Sequence, residues 1–260
     1  MENSNKVNKR HEEIRNLLLL NGSVTLQELC SKLNCSEATI RNDLTALEKL
    51  GVLKRMHGGA VANEKTIRNT KINKRLNENI EEKEQIADYV VKNLITPNVI
   101  ITLDSGTTTM ALAQKLLDSK IPCTVITNSF NIASIVSKSE SINLCLAGGS
   151  YDPDHDSFHD EVSDYVFKNY QSEICFISPN GISMDGLVTN SGTSENPIKK
   201  RMMKQANKTI LLADYTKIGA TELNILCNAK DVDCLITDRN IKSQQITQLK
   251  KAGLKVIIAK

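Results

Sequence analysis

Residues 25–61 read TLQELCSKLNCSEATIRNDLTALEKLGVLKRMHGGAV, and their caps, apolar positions and turn residues predict two short helices followed by a β-ribbon. Thr25 and Glu28 have the spacing of a capping box, in which the hydroxyl and the carboxylate each bind a free N–H group at a helix start. Asn34 tolerates the left-handed conformation of a tight break, and Ser36 is a good N-cap for the next helix. Two short helices joined by a tight turn are typical of a helix-turn-helix.

The helix that begins at Ser36 has two different faces. Ile40, Leu44 and Leu47 form an apolar stripe at the i, i+4, i+7 spacing of a buried face. The opposite face offers hydroxyls, one amide and one guanidinium, which suit base edges and phosphates in a DNA major groove. These candidate DNA-binding side chains are Ser36, Thr39, Arg41, Asn42 and Thr45. A solvated amphipathic helix is the alternative, and the order of the two short helices favours DNA reading.

The segments on either side complete this unit. Upstream, the apolar spacing from Val7 to Leu18 predicts a helix that stops at the turn dipeptide Asn21-Gly22. Downstream, residues 52–61 predict a short β-ribbon, a wing with basic residues towards its tip. Arg55 and His57 are the candidate DNA contacts of this wing, and a core or turn position is the alternative for His57.

The head resembles a known family of bacterial transcriptional regulators. The runs ATIRNDL at 38–44, GVL at 51–53 and RMHGGA at 55–60 are similar to the winged helix-turn-helix of the DeoR type. That family commonly carries T-I-R-R-D-L where this chain has Asn42 in the second Arg position. The resemblance implies binding to a double-stranded DNA operator, and the departure at Asn42 bears on which operator sequence is read.

The charges are divided unevenly along the 260 residues. The net charge of +3 comes from 33 Lys and Arg against 30 Asp and Glu. Residues 1–76 hold 14 basic against 8 acidic residues, a net +6, and residues 77–260 hold 19 against 22, a net −3. A basic head on a mildly acidic body is consistent with a polyanionic partner at one end, and a chance distribution of solvated charges is the alternative. With five Tyr, four Phe and no Trp, a stacking platform for single-stranded nucleic acid is disfavoured.

The cysteines and the N-terminus bear on the compartment. Seven cysteines without a C-x-x-C pair fit a reducing compartment, and zinc binding through Cys30 and Cys35 lacks two further ligands nearby. The first ten residues lack the apolar stretch of a signal peptide, and no run reaches the ~20 apolar residues of a membrane span. We expect a cytoplasmic protein without a membrane segment, a metal or a cofactor.

The composition predicts two domains and a connector. Residues 1–62 form the winged helix-turn-helix, residues 63–79 are a polar Asn- and Lys-rich linker, and residues 80–260 form an α/β domain. In that domain short apolar runs alternate with helical segments, which predicts a mainly parallel sheet with helices on both faces. The predicted strands are 99–103, 124–126, 142–146, 174–178, 209–213, 234–237 and 255–259. The predicted helices are 107–117, 131–137, 162–169, 195–206 and 241–251.

Small polar residues follow three successive predicted strands. Residues 104–109, DSGTTT, open a helix, so that hydroxyls and helix N-terminal amides converge in the manner of a phosphate cradle. Residues 127–129 and 148–149 follow the next two strands. Ligands of parallel sheets bind beyond the carboxyl ends of the strands, so a shared pocket is expected, with simple capping by Ser and Thr as the alternative.

The body resembles the DeoR-type effector domain along nearly its whole length, in stretches that include Leu103–Thr109, Glu195, Lys199 and the run 214–219. That domain is similar in fold to ribose-5-phosphate isomerase, and the resemblance implies a homo-oligomeric repressor, a dimer or tetramer, that senses a phosphorylated sugar. The candidate effector-binding residues are Asp104, Ser105, Gly106, Thr107, Thr108, Thr127, Asn128, Gly148, Gly149 and Lys217.

Two other functions are weighed against this one. A sugar-phosphate isomerase needs a carboxylate base with partners, and residues 180–184, NGISM, lack the carboxylates of the isomerase D-G-A-D-E run. An α/β interaction module without a ligand is the third possibility. We therefore expect binding without turnover, and not an enzyme.

One loop departs from the family pattern. After Phe158 the family has a Gly-Pro-like pair, whereas this chain reads His159-Asp160-Glu161, with three further Asp and His155 just upstream. Asp and His clusters can bind hard or borderline cations. A solvated acidic loop is the favoured interpretation.

Overall fold

A computed structural model describes residues 2–62, 72 and 74–260, and the chain forms two compact units, Met1–Asn77 and Glu78–Lys260. Most of the predicted linker, residues 63–71 and 73, lies outside the described residues, and residues 74–77 are helical. Within the described part of the chain, no helix combines the length and the apolar character that crossing a membrane requires.

Within residues 2–62, the first unit forms three helices, whose ends agree with the signals in the sequence. The helices are α1 (Glu2–Asn21), α2 (Leu26–Leu33) and α3 (Glu37–Lys49). Thr25 and Glu28 make both bonds of the capping box, and the Ser36 hydroxyl accepts from the Thr39 N–H. Asn34 has a φ of 49°, which places the break between α2 and α3 in the left-handed region that Asn tolerates. Local chemistry therefore sets these boundaries.

The predicted ribbon is the hairpin of β2 (Leu53–Met56) and β3 (Gly59–Ala62). A third short strand, β1 (Ser23–Thr25), pairs antiparallel with β3, so that the strand order is β1-β3-β2. The sequence analysis did not predict β1. Its three residues lie between two helices and are too few to show a periodicity of two. The helices and this sheet share a core that includes Ile14, Leu29 and Leu47.

The second unit is built on a seven-stranded sheet in which every pairing is parallel. Its strands are β4 (Val99–Leu103), β5 (Cys123–Thr127), β6 (Ile142–Leu146), β9 (Ser172–Ile177), β12 (Ala206–Leu212), β14 (Cys234–Thr237) and β15 (Val256–Ile258). They are arranged in the order β15-β14-β12-β9-β4-β5-β6. All seven predicted strands are present, and the prediction placed the starts of β9 and β12 two to three residues late because their first residues are polar.

Helices cover both faces of the sheet. They are α4 (Ile80–Leu94), α5 (Thr107–Ser119), α6 (Phe130–Val136), α7 (Glu161–Asn169), α8 (Glu195–Lys204) and α9 (Ser243–Lys251). One hydrophobic cluster joins α4, α5 and α6 to residues such as Leu103 and Phe176. The other joins α7, α8 and α9 to Cys175 and Ile177, the alternate positions of β9. This alternation places two apolar layers on opposite faces, as the α/β prediction requires.

Two small antiparallel sheets were not predicted. The first consists of β10 (Gly181–Ile182), β11 (Leu187–Asn190) and β13 (Asn224–Asn228). The second is the hairpin of β7 (Tyr151–Asp152) and β8 (Ser157–Phe158). These strands are short, and β11 pairs with β13 more than 30 residues away, so no long apolar run identifies them in the sequence.

Candidate functional site

The polar face of α3 is presented to solvent as predicted from its periodicity. Ile40, Leu44 and Leu47 are buried, while Ser36, Arg41 and Asn42 are exposed. Thr39 and Thr45 are half-buried on the same side. The Ser36 and Thr39 hydroxyl oxygens are 2.9 Å apart at the start of the helix, where the Ser36 hydroxyl also accepts from the Thr39 N–H.

Arg55 of the wing hydrogen-bonds to α3. The Arg55 guanidinium donates to Thr45 Oγ1 at 2.8 Å, and the Arg55 N–H donates to Glu48 Oε1 at 2.8 Å. Thr45 Oγ1 donates in turn to the Arg41 carbonyl at 2.8 Å. The structure therefore brings together Arg41, Thr45 and Arg55, which the sequence analysis named separately. His57 is exposed in the turn between β2 and β3, away from the core.

Arg41 makes an ion pair that leaves it available. Its guanidinium lies 3.4 Å from Glu37 Oε2, and both side chains are more than half exposed. An exposed i, i+4 pair of this kind contributes only about 0.3–0.5 kcal/mol, so a DNA contact can replace it at small cost.

A buried ion cluster holds α3 against α1, and the sequence analysis missed it. Asp43 is only 5% exposed, and its carboxylate accepts from Arg10 Nη2 at 2.9 Å and lies 3.0 Å from His11 Nε2. Burial alone would raise the pKa of Asp43, but the hydrogen bonds from Arg10 and His11 outweigh it and lower that pKa. In the sequence, Asp43 lies beside the apolar stripe of α3, and a charged residue at a buried position needs a partner of opposite charge.

In the second unit, the polar loops named in the sequence analysis lie along one edge of the sheet. Leu103, Thr127 and Leu146 are paired in register at the carboxyl ends of β4, β5 and β6. The loops that follow them are therefore neighbours. Ser178 follows β9 on the other side of β4, and Lys217 follows β12, one strand further along the edge.

Asp104 lies beneath the first of these loops. It is fully buried, and its carboxylate accepts from the Gly106 N–H at 3.1 Å, the Ser178 N–H at 2.9 Å and the Thr109 hydroxyl at 2.8 Å. Its hydrogen-bonding capacity is directed at the protein. Asp104 therefore shapes the backbone of the loop, and the loop surface consists of other residues.

That surface consists of Ser105, Gly106 and Thr107, which are half-buried, with Thr108 buried beside them. Gly106 is the N-cap of α5 and has no side chain with which to accept from the first-turn N–H groups. A Cβ on Gly106 would collide with Ser178, so only glycine allows this approach of the two loops. The loop thus presents hydroxyls and a helix N-terminus that carries no side-chain cap, which departs from the simple-capping alternative.

The other two loops are more strongly built into the protein. Thr127 and Asn128 are buried, and the Asn128 amide donates to the Phe158 carbonyl at 2.9 Å. Gly148 is half-buried and accepts from the Ser163 hydroxyl, while Gly149 is exposed with a φ of +126°. Asn128 Oδ1 is buried without a hydrogen-bond partner among the described residues.

Lys217 ends a short 3-10 turn, Tyr215–Lys217, that begins at the buried Asp214. Asp214 Oδ1 accepts from the Thr216 N–H at 3.0 Å and so fixes the turn. The Lys217 side chain is half-buried at the same edge of the sheet as the DSGTTT loop.

A chain of ion pairs runs from the loop into the neighbouring acidic segment. The buried Lys199 Nζ lies 3.0 Å from Asp104 Oδ2 and 2.8 Å from Glu195 Oε2. Glu195 Oε1 lies 2.9 Å from His155 Nε2, and His155 Nδ1 lies 2.8 Å from Asp152 Oδ2. Glu195 and Lys199 were matched to the family in the sequence but given no role. Their i, i+4 spacing on a predicted helix was the sequence signal for an ion pair between them.

The electrostatics of this chain favour the charged forms. Burial would lower the pKa of Lys199, but the Asp104 and Glu195 carboxylates outweigh it and raise that pKa. Burial would raise the pKa of Glu195, and the charge of Lys199 and the hydrogen bond from His155 reverse the effect, so the pKa is lowered. The hydrogen bond to Glu195 also raises the pKa of His155.

The acidic loop is packed, and the solvated interpretation was wrong for most of its charged residues. Asp156 is 7% exposed and accepts from the Tyr151 hydroxyl at 2.8 Å and the Asn131 N–H at 2.9 Å. Asp160 caps α7, and backbone hydrogen bonds from Ser163 and Ser150 lower its pKa to about 2. Ring contacts among Phe130, Tyr151 and Phe158 cover part of the loop, which removes these carboxylates from free solvent.

The chain matches two family models. Residues 10–66 match the DeoR-like helix-turn-helix domain, and residues 78–239 match the DeoR C-terminal sensor domain. The HTH-type transcriptional regulator GolR of Listeria innocua is 34% identical over 252 residues, which cover 96% of this chain and 98% of that protein. The lactose phosphotransferase system repressor of Lactococcus lactis is 31% identical over 243 residues, covering 92% and 94%.

Among solved structures, ribose 5-phosphate isomerase A of Methanocaldococcus jannaschii is 18% identical and covers 54% of this chain and 55% of its own, with a TM-score of 0.41. A likeness of this size says nothing about activity. The curated relatives are named as transcriptional regulators rather than enzymes, in agreement with the expectation from residues 180–184. With both of its units matched over most of their length, the chain belongs to the DeoR family of transcriptional regulators.

Proposed function

We propose that this protein represses a sugar or carbohydrate operon by binding its operator through α3 and the wing, and that a phosphorylated sugar bound at the sheet edge of the second unit controls the binding. The observation that carries the proposal is the exposed Arg41 and Asn42 face of α3, to which Arg55 fastens the wing. Repression is also supported by relatives such as the repressor of the lactose phosphotransferase system.

DNA reading is assigned to the exposed half of α3. Arg41 can make a bidentate contact to guanine, and Asn42 can do the same to adenine, so this pair is suited to base reading. Ser36 and Thr39 lie at the helix N-terminus, where hydroxyl and N–H groups suit a phosphate. Arg55 and His57 extend the contact surface along the wing. Two or more heads held together by the second units, as a dimer or tetramer, would bind repeated half-sites.

Effector binding is assigned to the loop at 105–108. A phosphate fits there because two hydroxyls and the N-terminus of α5 converge, and the carboxylate of Asp104 is already neutralised by Lys199. Lys217 adds a positive charge for the phosphate or a donor for a sugar hydroxyl. Thr127, Asn128, Gly148 and Gly149 form the neighbouring wall, in which the Asn128 side chain is held by the Phe158 carbonyl.

Control by the effector requires different affinities in two states. A sugar phosphate that favours the non-binding arrangement of the heads releases the operator, through the connector at 63–79. The ligand shifts the equilibrium only by the ratio of its affinities for the two states.

The experiment begins with genome-wide footprinting of the bound sites, which gives the operator and, through the neighbouring genes, the class of sugar. Fluorescence anisotropy on that duplex then measures release by a panel of sugar phosphates, with the unphosphorylated sugars as controls. Thermal melts of the protein with the same panel report binding directly, since a ligand at ~100 times its dissociation constant adds about 2.7 kcal/mol. No melting shift with any sugar phosphate contradicts the sensor assignment, and steady turnover of one contradicts the assignment as a regulator without enzymatic activity.

A further inference from the structure

Three potential metal ligands meet in the packed acidic loop. Asp152 lies in β7, His155 in the turn that follows, and His159 just before α7. One ligand atom from each lies within 4.8 Å of the other two, and all three side chains are half-buried. The DeoR-family proposal above gives these residues no role.

Ser157 contacts both histidines. Its hydroxyl donates to the His155 carbonyl at 3.1 Å, and its oxygen lies 2.6 Å from His159 Nε2. In the tautomer that matches this direction, His159 Nε2 donates to Ser157 and Nδ1 keeps its lone pair. That Nδ1 atom is buried and has no hydrogen-bond partner among the described residues.

His155 is held in the arrangement typical of a metal-bound imidazole. Its Nε2 faces Glu195 Oε1 at 2.9 Å, and its Nδ1 faces Asp152 Oδ2 at 2.8 Å. In metal sites one ring nitrogen binds the ion while the other donates to a carboxylate, which here is Glu195. Gly192 makes room for this contact, since a Cβ at that position would collide with His155 Nε2.

We propose that Asp152, His155 and His159 bind a borderline divalent cation of the zinc type, with Glu195 and Ser157 as the residues that orient the two imidazoles. Two imidazoles and one carboxylate suit Zn²⁺, Co²⁺ or Ni²⁺, whereas Mg²⁺ and Ca²⁺ prefer oxygen ligands alone. Three protein ligands leave a coordination position for water or an oxygen of another ligand. Binding releases the imidazole proton of His155, as histidine ligation generally requires.

The site connects to the proposed effector loop through three ion pairs in series. Glu195 links His155 to Lys199, and Lys199 links Glu195 to Asp104 beneath the DSGTTT loop. The metal proposal does not depend on the proposed function, because metal binding is measured without DNA or sugar.

The test titrates Co²⁺ into the tag-free, chelator-treated full-length protein and records its visible absorption. The expected result is one equivalent of Co²⁺ bound with a nitrogen and oxygen ligand-field spectrum and no thiolate charge-transfer band. His159→Gln and Asp152→Asn should each abolish this spectrum, and Ser157→Ala should weaken the affinity by roughly 10- to 100-fold. The matched controls are Asp154→Asn, an exposed carboxylate in the same loop, and His57→Gln, an exposed histidine of the first unit, and both should leave it unchanged.

A second measurement uses the wild-type protein, so it does not depend on the folding of a variant. The chain has four histidines, and Zn²⁺ should shift the Hε1 resonances of two of them, His155 and His159, while those of His11 and His57 stay in place. The proposal is overturned by an absence of stoichiometric binding, by a thiolate band, by a spectrum that survives in both ligand variants, or by shifts of the other two histidines.

Discussion

Replacing Lys199 by methionine tests whether the buried ion pairs hold the effector loop together. Lys199 is 3% exposed and lies between Asp104 and Glu195, which are 0% and 4% exposed. Its removal leaves two carboxylates buried without their cation. Breaking a buried pair in this way costs about 3–5 kcal/mol.

The hydrogen bonds that remain place the expected cost at the lower end of that range. Asp104 keeps the N–H groups of Gly106 and Ser178 and the Thr109 hydroxyl, and Glu195 keeps His155. We therefore expect Lys199→Met to lower the free energy of unfolding of the second unit by about 3 kcal/mol. The matched control is Lys200→Met, because Lys200 is the next residue on α8 and is exposed.

The assay exploits the distribution of aromatic residues. All five Tyr and four Phe lie between residues 89 and 215, and residues 1–77 contain none. Near-UV circular dichroism and tyrosine fluorescence during urea unfolding therefore report the second unit alone, and two-state analysis applies to that unit rather than to the whole chain.

The pH dependence supplies an independent check. In Lys199→Met the burial of Glu195 is opposed by His155 but no longer by a lysine, so the folded-state pKa of Glu195 is higher than in the wild type. The loss relative to the wild type is therefore full at neutral pH. It shrinks as the pH falls through the variant's folded-state pKa towards the lowered pKa of Glu195 in the wild type. A loss no greater than that of Lys200→Met, or a loss that does not shrink in acid, refutes the reasoning.

Three further outcomes are expected. Arg41→Ala should weaken operator binding by about 1–3 kcal/mol and relax the sequence preference at one base position. The control is Arg15→Ala, because Arg15 is also exposed. An equal loss of affinity for all DNA sequences would show that Arg41 contacts a phosphate instead of a base. Asp43→Asn should speed amide hydrogen exchange in α1 and α3. Because the folded-state pKa of Asp43 is lowered, protection in the wild type should be present above about pH 3.8, the ordinary pKa of Asp, and should fall as the pH drops through the lower folded-state pKa. Lys217→Met should weaken release of the operator by sugar phosphates and leave DNA affinity intact, whereas Lys230→Met, in a comparable 3-10 turn, should change neither.

The elements that could be predicted from the sequence are those whose signals are local. The capping box at Thr25, the left-handed Asn34 and the N-cap Ser36 act within three or four residues, so the head helices were predicted with nearly correct ends. The parallel strands are continuous apolar runs because they are buried on both faces, and all seven were found. Where strands begin with polar residues or have only two to four residues, as in β10 and β11, no such run exists.

In the candidate sites too, the sequence predicted the parts that have local signals and missed the parts that depend on distant residues. The exposed side chains of α3 could be predicted from its periodicity, and the edge with Asp104, Thr127 and Gly148 from the rule that parallel strands end together. The contacts that hold these side chains in position could not be predicted from the sequence. Asp43 meets Arg10 across 33 residues, and Lys199 meets Asp104 across nearly a hundred, and nothing in the local sequence encodes either pairing.

The sequence by itself determined the two units, the helix-turn-helix and its wing, the parallel α/β body and the family, because caps, periodicity and motifs depend on neighbours along the chain. Only the tertiary structure decided that Asp104 faces inward, that Arg55 joins the wing to α3, and that the loop at 152–161 is packed around Asp152, His155 and His159. Those outcomes depend on which distant groups share a low-dielectric interior, where a buried charge needs a partner whatever its position in the chain.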